Sequence, residues 1–417
     1  MNVRILNPSY KAVCEELDRR RHIALGFERI EALLKLLSDP HRSLRVVQVV
    51  GTNGKGTTAV ALASALEVAG KPAGAYLSPH VLQYTERVML HGSYISEEAF
   101  AAVMGKAMEV ADANEVPATQ FELLTAGALA MFRDSGAEWA VLEAGLGARH
   151  DATSAADPEA VVLTNVGLDH TEYLGETLEE IAEEKLASLL PGAVLVLGTD
   201  DQRVVEIARR AAARVGASIV EHEEAGGSDT YDGYAPYLAR NERLGLRTAE
   251  VLLGRVLKPE ERQEAHVVAR AARPPARFEE YEVRGVPVIV DGGHNPEGLE
   301  AALGAVRARY GEQTLGVVFG VLKGKDIGSM LCILSREANV LVLTRPENTD
   351  GRALDPGWVY EAYAPRDATG RKAWVASDAG EALRSAVGEM EKAGGVVLVT
   401  GSLSTGAGIL GWLRGRR

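Results

Sequence analysis

Short apolar runs rich in β-branched residues alternate with helical patterns along most of the chain. The runs of strand length in the first two thirds are 44–50, 73–77, 139–142, 160–164 and 193–197. The helical patterns between them include 58–68, 122–133 and 178–190. Continuous apolar strands that alternate with helices are typical of a mostly parallel sheet with helices on both faces. The pattern therefore predicts an α/β fold.

A second series of apolar runs follows after residue 273. Its predicted strands are 286–290, 315–319, 340–343 and 396–399. Between the two series, Arg273-Pro274-Pro275 lies in a charged stretch with little periodicity, and two prolines resist continuing a helix. We therefore predict two α/β domains, residues 1–272 and the smaller 273–417, as is usual for a chain of this length.

The charge balance excludes two classes of partner. The 417 residues carry 45 Lys and Arg against 58 Asp and Glu, a formal net charge of −13, and the whole excess lies in residues 1–272. Binding to nucleic acid or to an anionic membrane surface depends on clustered Lys and Arg, so neither partner is expected. Net charge does not describe the charge inside a single pocket, so acidic small-molecule substrates are not excluded. With 46% hydrophobic residues, the chain has ample material for packed cores.

The cysteine content and the apolar runs indicate the cellular compartment of the protein. Cys14 and Cys332 are too few for a disulfide framework, so two reduced thiols are expected. Residues 1–22 lack the apolar core of a signal peptide, and no apolar run reaches the roughly 20 residues that span a bilayer. We predict a cytoplasmic protein without a membrane partner.

The strongest local motif is the glycine-rich run at residues 51–58, GTNGKGTT, between a predicted strand and a predicted helix. In that context glycines let backbone N–H groups approach phosphates, the helix N-terminus favours an anion, and Lys55 adds a positive charge. Gly56 stands where the common form of the motif has Ser or Thr directly after the lysine. A glycine-rich turn without chemical meaning is the alternative, but nucleotide binding is the better-supported interpretation.

Three more polar clusters follow predicted strands in the first domain. They contain Ser78 in 78–80, Glu143 in 143–149, and His170 in 164–172. Glu143 suits a magnesium ligand at a strand end, although a simple pair with Arg149 is equally consistent with its position. The imidazole of His170 could bind metal, act as a base or cap the next helix. Convergence of such clusters raises the odds of a functional site.

The second domain offers strand-end loops of its own. Residues 291–296 (DGGHNP) follow one predicted strand, and Lys323, Lys325 and Arg345 follow two others. Together these loops predict a mixed-charge rim suited to a carboxylate or a phosphate. Two domains that each present strand-end loops predict a cleft and a multisubstrate enzyme.

With these motifs in place, the chain resembles folylpolyglutamate synthase, often bifunctional with dihydrofolate synthase, in the Mur ligase superfamily. The matching runs, in the family's order, are LGFERI (25–30), GTNGKGTT (51–58), YLSPHVLQYTERV (76–88), FELLTA (121–126), EAGLGARHDAT (143–153), TNVGLDHTEYLGETLEEIAEEK (164–185) and DGGHNPEG (291–298). The resemblance implies an N-terminal P-loop ATPase-like domain with a mostly parallel sheet and a smaller Rossmann-like C-terminal domain that ligates glutamate.

The resemblance also implies residue roles on the nucleotide side. The positions that match the phosphate-binding loop are Asn53, Gly54, Lys55, Gly56, Thr57 and Thr58. Those that match the base and ribose site are Asn241, Arg277 and Asp291. Magnesium ligands are matched by Ser78, Glu143 and His170, with Thr57 near the metal. Lys185, which alone reads as part of a helical ion pair, matches a lysine that is carbamylated in the superfamily and can then hold a second Mg²⁺.

On the substrate side, the positions that match the pterin pocket are Gly26, Phe27, Phe121, Asp151 and Ala152. His294 matches a histidine near the reacting phosphate, which places it with Lys55, His170 and Lys185 among the catalytic candidates. The sequence departs from the family pattern at His150 and Ser154, after Lys185, and in the 323–326 loop.

The implied reaction is ATP-dependent amide formation. A pteroate or folate carboxylate is phosphorylated, and the amine of L-glutamate displaces phosphate from the acyl phosphate. The expected cofactors are ATP and Mg²⁺ at two sites, and we expect a monomer. A peptidoglycan-type Mur ligase, whose extra N-terminal domain would not fit into the 50 residues before Gly51, and an ATP-dependent binding module remain the alternatives.

Overall fold

The computed structural model describes residues 9–221, 234–363 and 371–415. Residues 1–8, the start of the segment for which we predict no signal peptide, lie outside the described residues. The described chain forms two compact units. The first contains 9–221 and 240–273, and the second contains 234–239, 274–363 and 371–415. The sequence predicts residues 234–239 in the first domain. They belong to the second unit, because Ala235 and Leu238 are buried in its core.

The first unit is built on an eight-stranded sheet. Its strands are β1 Arg45–Val50, β2 Ala73–Tyr76, β3 Val88–Leu90, β4 Ser93–Tyr94, β5 Trp139–Glu143, β6 Ala160–Leu163, β7 Val194–Leu197 and β8 Ser218–Val220. The spatial order is β4-β3-β2-β5-β1-β6-β7-β8. All neighbours pair parallel except β2 with β3 and β3 with β4. The carboxyl ends of β2, β5, β1 and β6 therefore meet at one edge of the sheet.

Helices cover both faces of this sheet. They are α1 Tyr10–Arg19, α2 Glu28–Leu36, α3 Lys55–Val68, α4 Glu97–Ala113, α5 Gln120–Asp134, α6 Thr171–Leu174, α7 Leu178–Lys185, α8 Gln202–Val215, α9 Pro236–Leu253 and α10 Pro259–Ala271. Successive β1 residues alternate between two cores: Val46 packs with α1, α2, α4 and α5, whereas Val47 packs with α3 and α10. Burial on both faces explains why the strand is largely apolar, and its one buried polar residue, Gln48, bonds to Thr153 and Ser188. In the described residues no helix is long and apolar enough to cross a membrane.

Two predicted helices have different bounds in the structure. The helix predicted from residue 58 begins at Lys55, directly after Gly54, whose φ of 86° ends the loop. The helix predicted over 178–190 ends at Lys185, and this prediction was wrong at its C-terminal end. The next residues turn instead, with Leu186 and Leu189 buried against β6 and β7. Pro191 disfavours helix at the residue before it, which limits how far α7 can extend.

The second unit is a six-stranded sheet with helices. Its elements are β9 Glu279–Val283, β10 Val286–Val290, α11 Pro296–Tyr310, β11 Leu315–Phe319, α12 Ile327–Glu337, β12 Val340–Leu343, α13 Pro356–Tyr363, β13 Lys372–Val375, α14 Ala379–Ala393, β14 Val396–Thr400 and α15 Leu403–Leu413. The order is β13-β12-β11-β14-β10-β9, parallel except for the edge strand β9. The predicted α/β class with mostly parallel sheets is confirmed for both units.

Close packing of α9 on α3 yields a stability prediction. A Cβ added at the buried Gly245 would lie 2.6 Å from Thr58 O and 2.7 Å from Leu62 N, both backbone atoms that cannot rotate away. Gly245→Ala should therefore destabilise the first unit by roughly 1–3 kcal/mol, measured by urea and thermal unfolding. Gly304→Ala is the control, because nothing lies within 4 Å of a Cβ at this α11 position, and it should stabilise by roughly 0.5–1 kcal/mol. Equal effects of the two changes would contradict the packing argument.

Candidate functional site

The glycine-rich loop after β1 is held in place by the loop after β6. Asn53 O accepts hydrogen bonds from Thr164 Oγ1 at 2.7 Å and Asn165 Nδ2 at 3.2 Å, and Asn53 N donates to Asn165 Oδ1 at 2.9 Å. Gly51 has φ 145°, and a Cβ there would lie 1.9 Å from Thr164 Oγ1. The loop thus needs glycine at this position and has a fixed backbone before any ligand binds, as a phosphate cradle requires.

Two lysines donate to one carbonyl oxygen in this loop. Gly51 O accepts from Lys55 Nζ at 3.0 Å and from Lys185 Nζ at 3.0 Å, and Lys55 Nζ also donates to Thr52 O at 3.2 Å. The Lys185 side chain is 5% exposed and reaches the loop from the end of α7. The helical ion pair that its sequence context suggests is therefore not what the structure shows.

Burial controls the charge of Lys185. Desolvation, reinforced by the positive charge of Lys55, lowers the pKa of Lys185 to about 7 from the model-compound value of 10.5. Between these two values the unfolded chain binds more protons than the folded protein at this position. The buried, unmodified lysine therefore lowers the free energy of unfolding most below pH 7. The free energy of unfolding rises as the pH increases from about 7 towards 10.5.

Ser78 and Glu143 meet at the same edge of the sheet. Ser78 N donates to Glu143 Oε2 at 2.9 Å, and the Glu143 carboxylate is 5% exposed. A Cβ on Gly56 would lie 3.1 Å from Glu143 Oε2, so this carboxylate faces the first turn of α3, where Thr57 is also buried. The alternative pairing of Glu143 with Arg149 is wrong, because Arg149 Nε binds Glu184 Oε2 at 2.9 Å. Hydroxyl and carboxylate oxygens beside a phosphate loop are the donors that Mg²⁺ prefers.

His170 is placed differently from these groups. It is exposed, has a left-handed backbone with φ 53°, and precedes α6 as its N-cap without a side-chain capping bond. Its backbone N–H donates to Asp169 Oδ1 at 2.9 Å. Within the described residues no group of three or more His, Cys, Asp and Glu side chains is arranged to hold a metal. The geometry thus joins Ser78 and Glu143, but it does not assemble a complete protein ligand set.

The residues predicted for the pterin pocket lie in or against one apolar cluster. Ala152 is buried there, and the rings of Phe27 and Phe121 pack against the cluster. The Phe27 ring is 6.4 Å from that of His150, and the Phe121 ring is 5.7 Å from that of Tyr76. Gly26 precedes Phe27 with φ 105°.

Asp151, also predicted for the pterin pocket, already has donors on both carboxylate oxygens. Oδ2 accepts from Gly145 N and Leu146 N, both at 2.9 Å, and Oδ1 accepts from Thr153 N at 3.0 Å. Burial raises the pKa of Asp151, against the lowering effect of these hydrogen bonds. In this structure the carboxylate therefore fixes the loop after β5, a role that the sequence did not indicate.

Asn241 lies on α9 against the glycine-rich loop. A Cβ on Gly54 would be 2.4 Å from Asn241 Nδ2, and Thr58 Oγ1 donates to Asn241 O at 3.1 Å. Asn241 is 4% exposed. Asn241 thus lies next to the glycine-rich loop, although the two are about 190 residues apart in sequence. Its contact with a bound nucleotide stays a prediction.

In the second unit, the Asp291 carboxylate is enclosed by its own neighbours. It accepts from the hydroxyl of Tyr237, from Phe278 N at 2.9 Å and from Gly293 N at 2.9 Å. Arg277 Nη1 donates to Ala276 O at 3.1 Å, and His294 Nδ1 lies 3.1 Å from Gly292 O. Asp291 and His294 thus lie in the loop after β10, and Arg277, which precedes β9, lies against this loop, because a Cβ on Gly292 would be 3.0 Å from Arg277 Nη1.

The predicted basic rim lies at the ends of β11 and β12. Lys323 is exposed with Nζ donating to Gly351 O at 3.0 Å, and Arg345 is exposed directly after Thr344. Asp326 caps α12 by accepting from Ser329 N at 3.0 Å. The two basic groups thus present positive charge at the carboxyl edge of this sheet.

Thr164 and Asn165 hold the glycine-rich loop, a role that was not predicted from the sequence. Their position at the end of β6 was a usable signal, because β6 is the neighbour of β1 and parallel strands end at the same edge. Their partner, the Asn53 peptide group, could only be found from the three-dimensional fold.

The comparisons with known proteins agree with this geometry. The Mur ligase middle domain matches residues 49–231, and the Mur ligase, glutamate ligase domain matches 276–403. Dihydrofolate synthetase of Saccharomyces cerevisiae is 30% identical over 372 residues, 80% of this chain and 85% of that protein. The probable bifunctional folylpolyglutamate synthase/dihydropteroate synthase of Haloferax volcanii is 36% identical over 354 residues, 78% of this chain, but the match spans only 41% of that protein.

Solved structures match over nearly the whole chain. Folylpolyglutamate synthase of Mycobacterium tuberculosis complexed with ADP has a TM-score of 0.86, with 27% identity and 98% of both chains covered. FolC of Escherichia coli in complex with DHPP and ADP has a TM-score of 0.84, with 26% identity, 99% of this chain and 100% of that chain. A bifunctional enzyme from Yersinia pestis, complexed with AMPPNP and Mn, has a TM-score of 0.81 at 27% identity, covering 98% and 100% of the two chains.

The loop geometry predicts the effect of one hydroxyl. Thr164→Val removes the donor to Asn53 O without changing side-chain shape, so the loop should lose its preformed position and nucleotide affinity should fall roughly three- to tenfold. Calorimetric titration with ADP measures this. Thr248→Val is the matched control, because its buried hydroxyl donates to Leu244 O at 2.8 Å within α9. Unchanged ADP affinity in Thr164→Val, or an equal loss in the control, would contradict the assignment.

Proposed function

Because the chain belongs to the folylpolyglutamate synthase and dihydrofolate synthase family of Mur ligases, and is thus an ATP-dependent ligase of folates and glutamate, we propose that it works through an acyl phosphate. A carboxylate oxygen of a pteroate or folate attacks the γ-phosphorus of ATP, and ADP leaves. The amine of L-glutamate then attacks the acyl carbon, phosphate leaves with the C–O bond electrons, and the amine loses a proton.

The observation that carries this proposal is the preformed loop after β1, with Lys55, Ser78 and Glu143 at one sheet edge. A carboxylate is a poor acylating agent because its leaving group would be oxide, and phosphorylation supplies a better one. Backbone N–H groups at the start of α3 and the charge of Lys55 stabilise negative charge on the transferring phosphoryl group. Lys55, now bound to Gly51 O and Thr52 O, has to turn toward the phosphates to do so.

Ser78, Glu143 and Thr57 fit a divalent cation by chemistry and position. Two hydroxyl groups and a carboxylate near the first turn of α3 would provide hard oxygen ligands for the ion. His170 is proposed as a further magnesium ligand, and a carbamate on Lys185 would hold a second ion. When bound, Mg²⁺ neutralises charge on the phosphates.

A carbamate on Lys185 would remove the positive charge that is unfavourable at this buried position beside Lys55. The neutral amine adds to CO₂ and releases one proton, which converts a cation into an anion that retains one N–H. That N–H can keep the hydrogen bond to Gly51 O, while the two new oxygens favour Lys55 or a metal ion. The support is the burial of Lys185 beside Lys55, together with the resemblance of the 164–185 run.

We assign the remaining roles by unit. The first unit acts as the ATP-binding domain with the pterin pocket around Phe27, Phe121 and Ala152. The second unit acts as the glutamate-ligase domain, with Lys323, Lys325 and Arg345 as candidates for binding glutamate carboxylates. The other proposed nucleotide and catalytic contacts are Asn241, Arg277, Asp291 and His294.

ADP release should depend on three components at once. With ATP and Mg²⁺ present, turnover should need both L-glutamate and a pteroyl substrate, because the acyl phosphate forms on one and reacts with the other. A coupled ADP assay with dihydropteroate and with tetrahydrofolate, each with and without labelled glutamate, measures this. Rapid ADP release without glutamate would refute the ligase mechanism, and EDTA should abolish the remaining signal.

Lys185→Ala should lower turnover by at least about a thousandfold, since it removes a group that supports phosphoryl transfer. A short carboxylate such as propionate should restore part of the activity by occupying the position of the carbamate. Carbon-13 NMR with labelled bicarbonate should show a carbamate signal in the wild type that is missing in the variant. Lys71→Ala is the control, because Lys71 pairs with Glu138 near the surface. Full activity of Lys185→Ala, or no difference in the spectra, would contradict the carbamate.

A further inference from the structure

Arg87 is a buried cation without a carboxylate partner. The residue is 5% exposed and directly precedes β3. Its Nε donates to His80 Nδ1 at 2.8 Å, and its guanidinium lies 5.8 Å from the centroid of the Tyr84 ring. Among the described residues no carboxylate oxygen lies within 4 Å of the guanidinium, although buried charges in proteins are usually paired. Apart from the interaction with the Tyr76 hydroxyl, its Nη–H donors can serve an anion.

The nearby acidic side chains are committed to other donors. The Glu86 carboxylate accepts from the backbone N–H groups of Val81, Leu82 and Gln83, and so closes the turn that carries Arg87. Asp18 Oδ1 accepts from Tyr84 OH at 2.6 Å. Burial, together with the charges of Arg87 and Arg21, lowers the pKa of His80 to about 2, so the imidazole stays neutral and adds no negative charge. Glu86 and Asp18 thus contribute negative charge near Arg87, but their oxygens are directed to other donors.

The hydroxyl of Tyr76 is a second buried polar group in this region. The Tyr76 side chain is fully buried, and its hydroxyl makes no well-aligned hydrogen bond to the described residues, although the side chains of Arg87 and Thr125 interact with it. Burial raises the pKa of Tyr76 to about 12, against the lowering effect of the Arg87 charge. A buried hydroxyl without a well-aligned partner is costly, and a bound ligand is one way to satisfy it.

The location joins the two parts of the proposed active site. Leu77 N donates to Arg87 O at 2.8 Å, and the next residue is Ser78, whose N–H donates to Glu143. On the other side, the Tyr76 ring packs against Phe121, a residue of the proposed pterin pocket. Arg87 therefore lies beside the strand end that carries Ser78, and Tyr76 belongs to the apolar cluster against which Phe121 packs.

We propose that the Arg87 guanidinium and the Tyr76 hydroxyl form a subsite that binds a carboxylate of the pteroyl substrate. This inference rests on the proposed function. The Nη groups of arginine match a carboxylate in a bidentate pair, and the phenol O–H adds a third donor. The apolar neighbours favour the pteroyl carboxylate over free glutamate, whose ammonium group would be repelled by Arg87.

The test compares ligands with and without the carboxylate. Dissociation constants are measured for dihydropteroate and for the same molecule lacking the benzoate carboxyl group, with full-length protein and ADP present. The ratio of the two constants reports carboxylate recognition and is insensitive to a general loss of folding. Michaelis constants for the pteroyl substrate, glutamate and ATP are measured in parallel.

Three variants make the test specific. Tyr76→Phe removes only the hydroxyl without a well-aligned partner, so the free protein should keep or raise its melting temperature. Arg87→Lys retains the charge but loses the bidentate geometry. Tyr94→Phe is the control, because its hydroxyl donates to Ala272 O at 2.8 Å on strand β4 and its loss should leave the substrate constants unchanged.

We expect Tyr76→Phe and Arg87→Lys to lower the carboxylate preference by about tenfold each, with the Michaelis constant for the pteroyl substrate rising and that for ATP unchanged. An unaltered preference in Tyr76→Phe would overturn the proposal, even if Arg87→Lys does not fold. A rise confined to the Michaelis constant for glutamate would also overturn it by assigning the subsite to the other reactant. Failure of the proposed function itself would appear separately, as wild-type protein without ligase activity.

Discussion

The carbonyl oxygen of Gly51 is the point on which the active-site edge of the first unit depends. It ends the central strand β1, which lies between β5 and β6, and it accepts hydrogen bonds from both Lys55 and Lys185. The fold holds the two lysine side chains on one oxygen, where burial and the charge of Lys55 lower the pKa of Lys185. A loop arranged in this way attracts anions, and the fixed Asn53 peptide group keeps its N–H groups in position to receive them.

The acidic excess of the first domain has a more specific explanation than metal binding alone. Several of its buried carboxylates bind backbone or arginine donors: Glu122 accepts from Arg29 and Thr119, and Glu86 and Asp151 each accept backbone N–H groups of their own loops. These acids fix turns and helix starts around the site. Glu143 differs, because it faces the first turn of α3 beside Ser78. Part of the acidic excess thus fixes loops that position the site, and Glu143 faces the site itself.

The sequence was sufficient for the central strands of both sheets, because a strand buried on both faces is mostly apolar, as in β1, β6 and β14. It was insufficient for the edge strand β9, whose residues Glu279–Val283 are largely charged and pair on one side only. The clusters at Ser78 and Glu143 could be predicted to converge from strand ends alone. The burial of Lys185 could not, because its neighbours in α7 are mostly acidic and suggest a solvated helix.

Lys185 and Arg87 show two different solutions to a buried positive charge. Lysine can lose its proton, and desolvation brings the pKa of Lys185 to about 7, so a neutral and reactive amine is accessible near physiological pH. Arginine has no such option in a protein, since its pKa is above about 12. A buried guanidinium therefore calls for a nearby anion, and because the oxygens of Glu86 and Asp18 accept from other donors, a substrate carboxylate is the direct partner that we propose. The chemistry of the two side chains thus distinguishes the proposed site of covalent modification, Lys185, from the proposed site of substrate binding, Arg87.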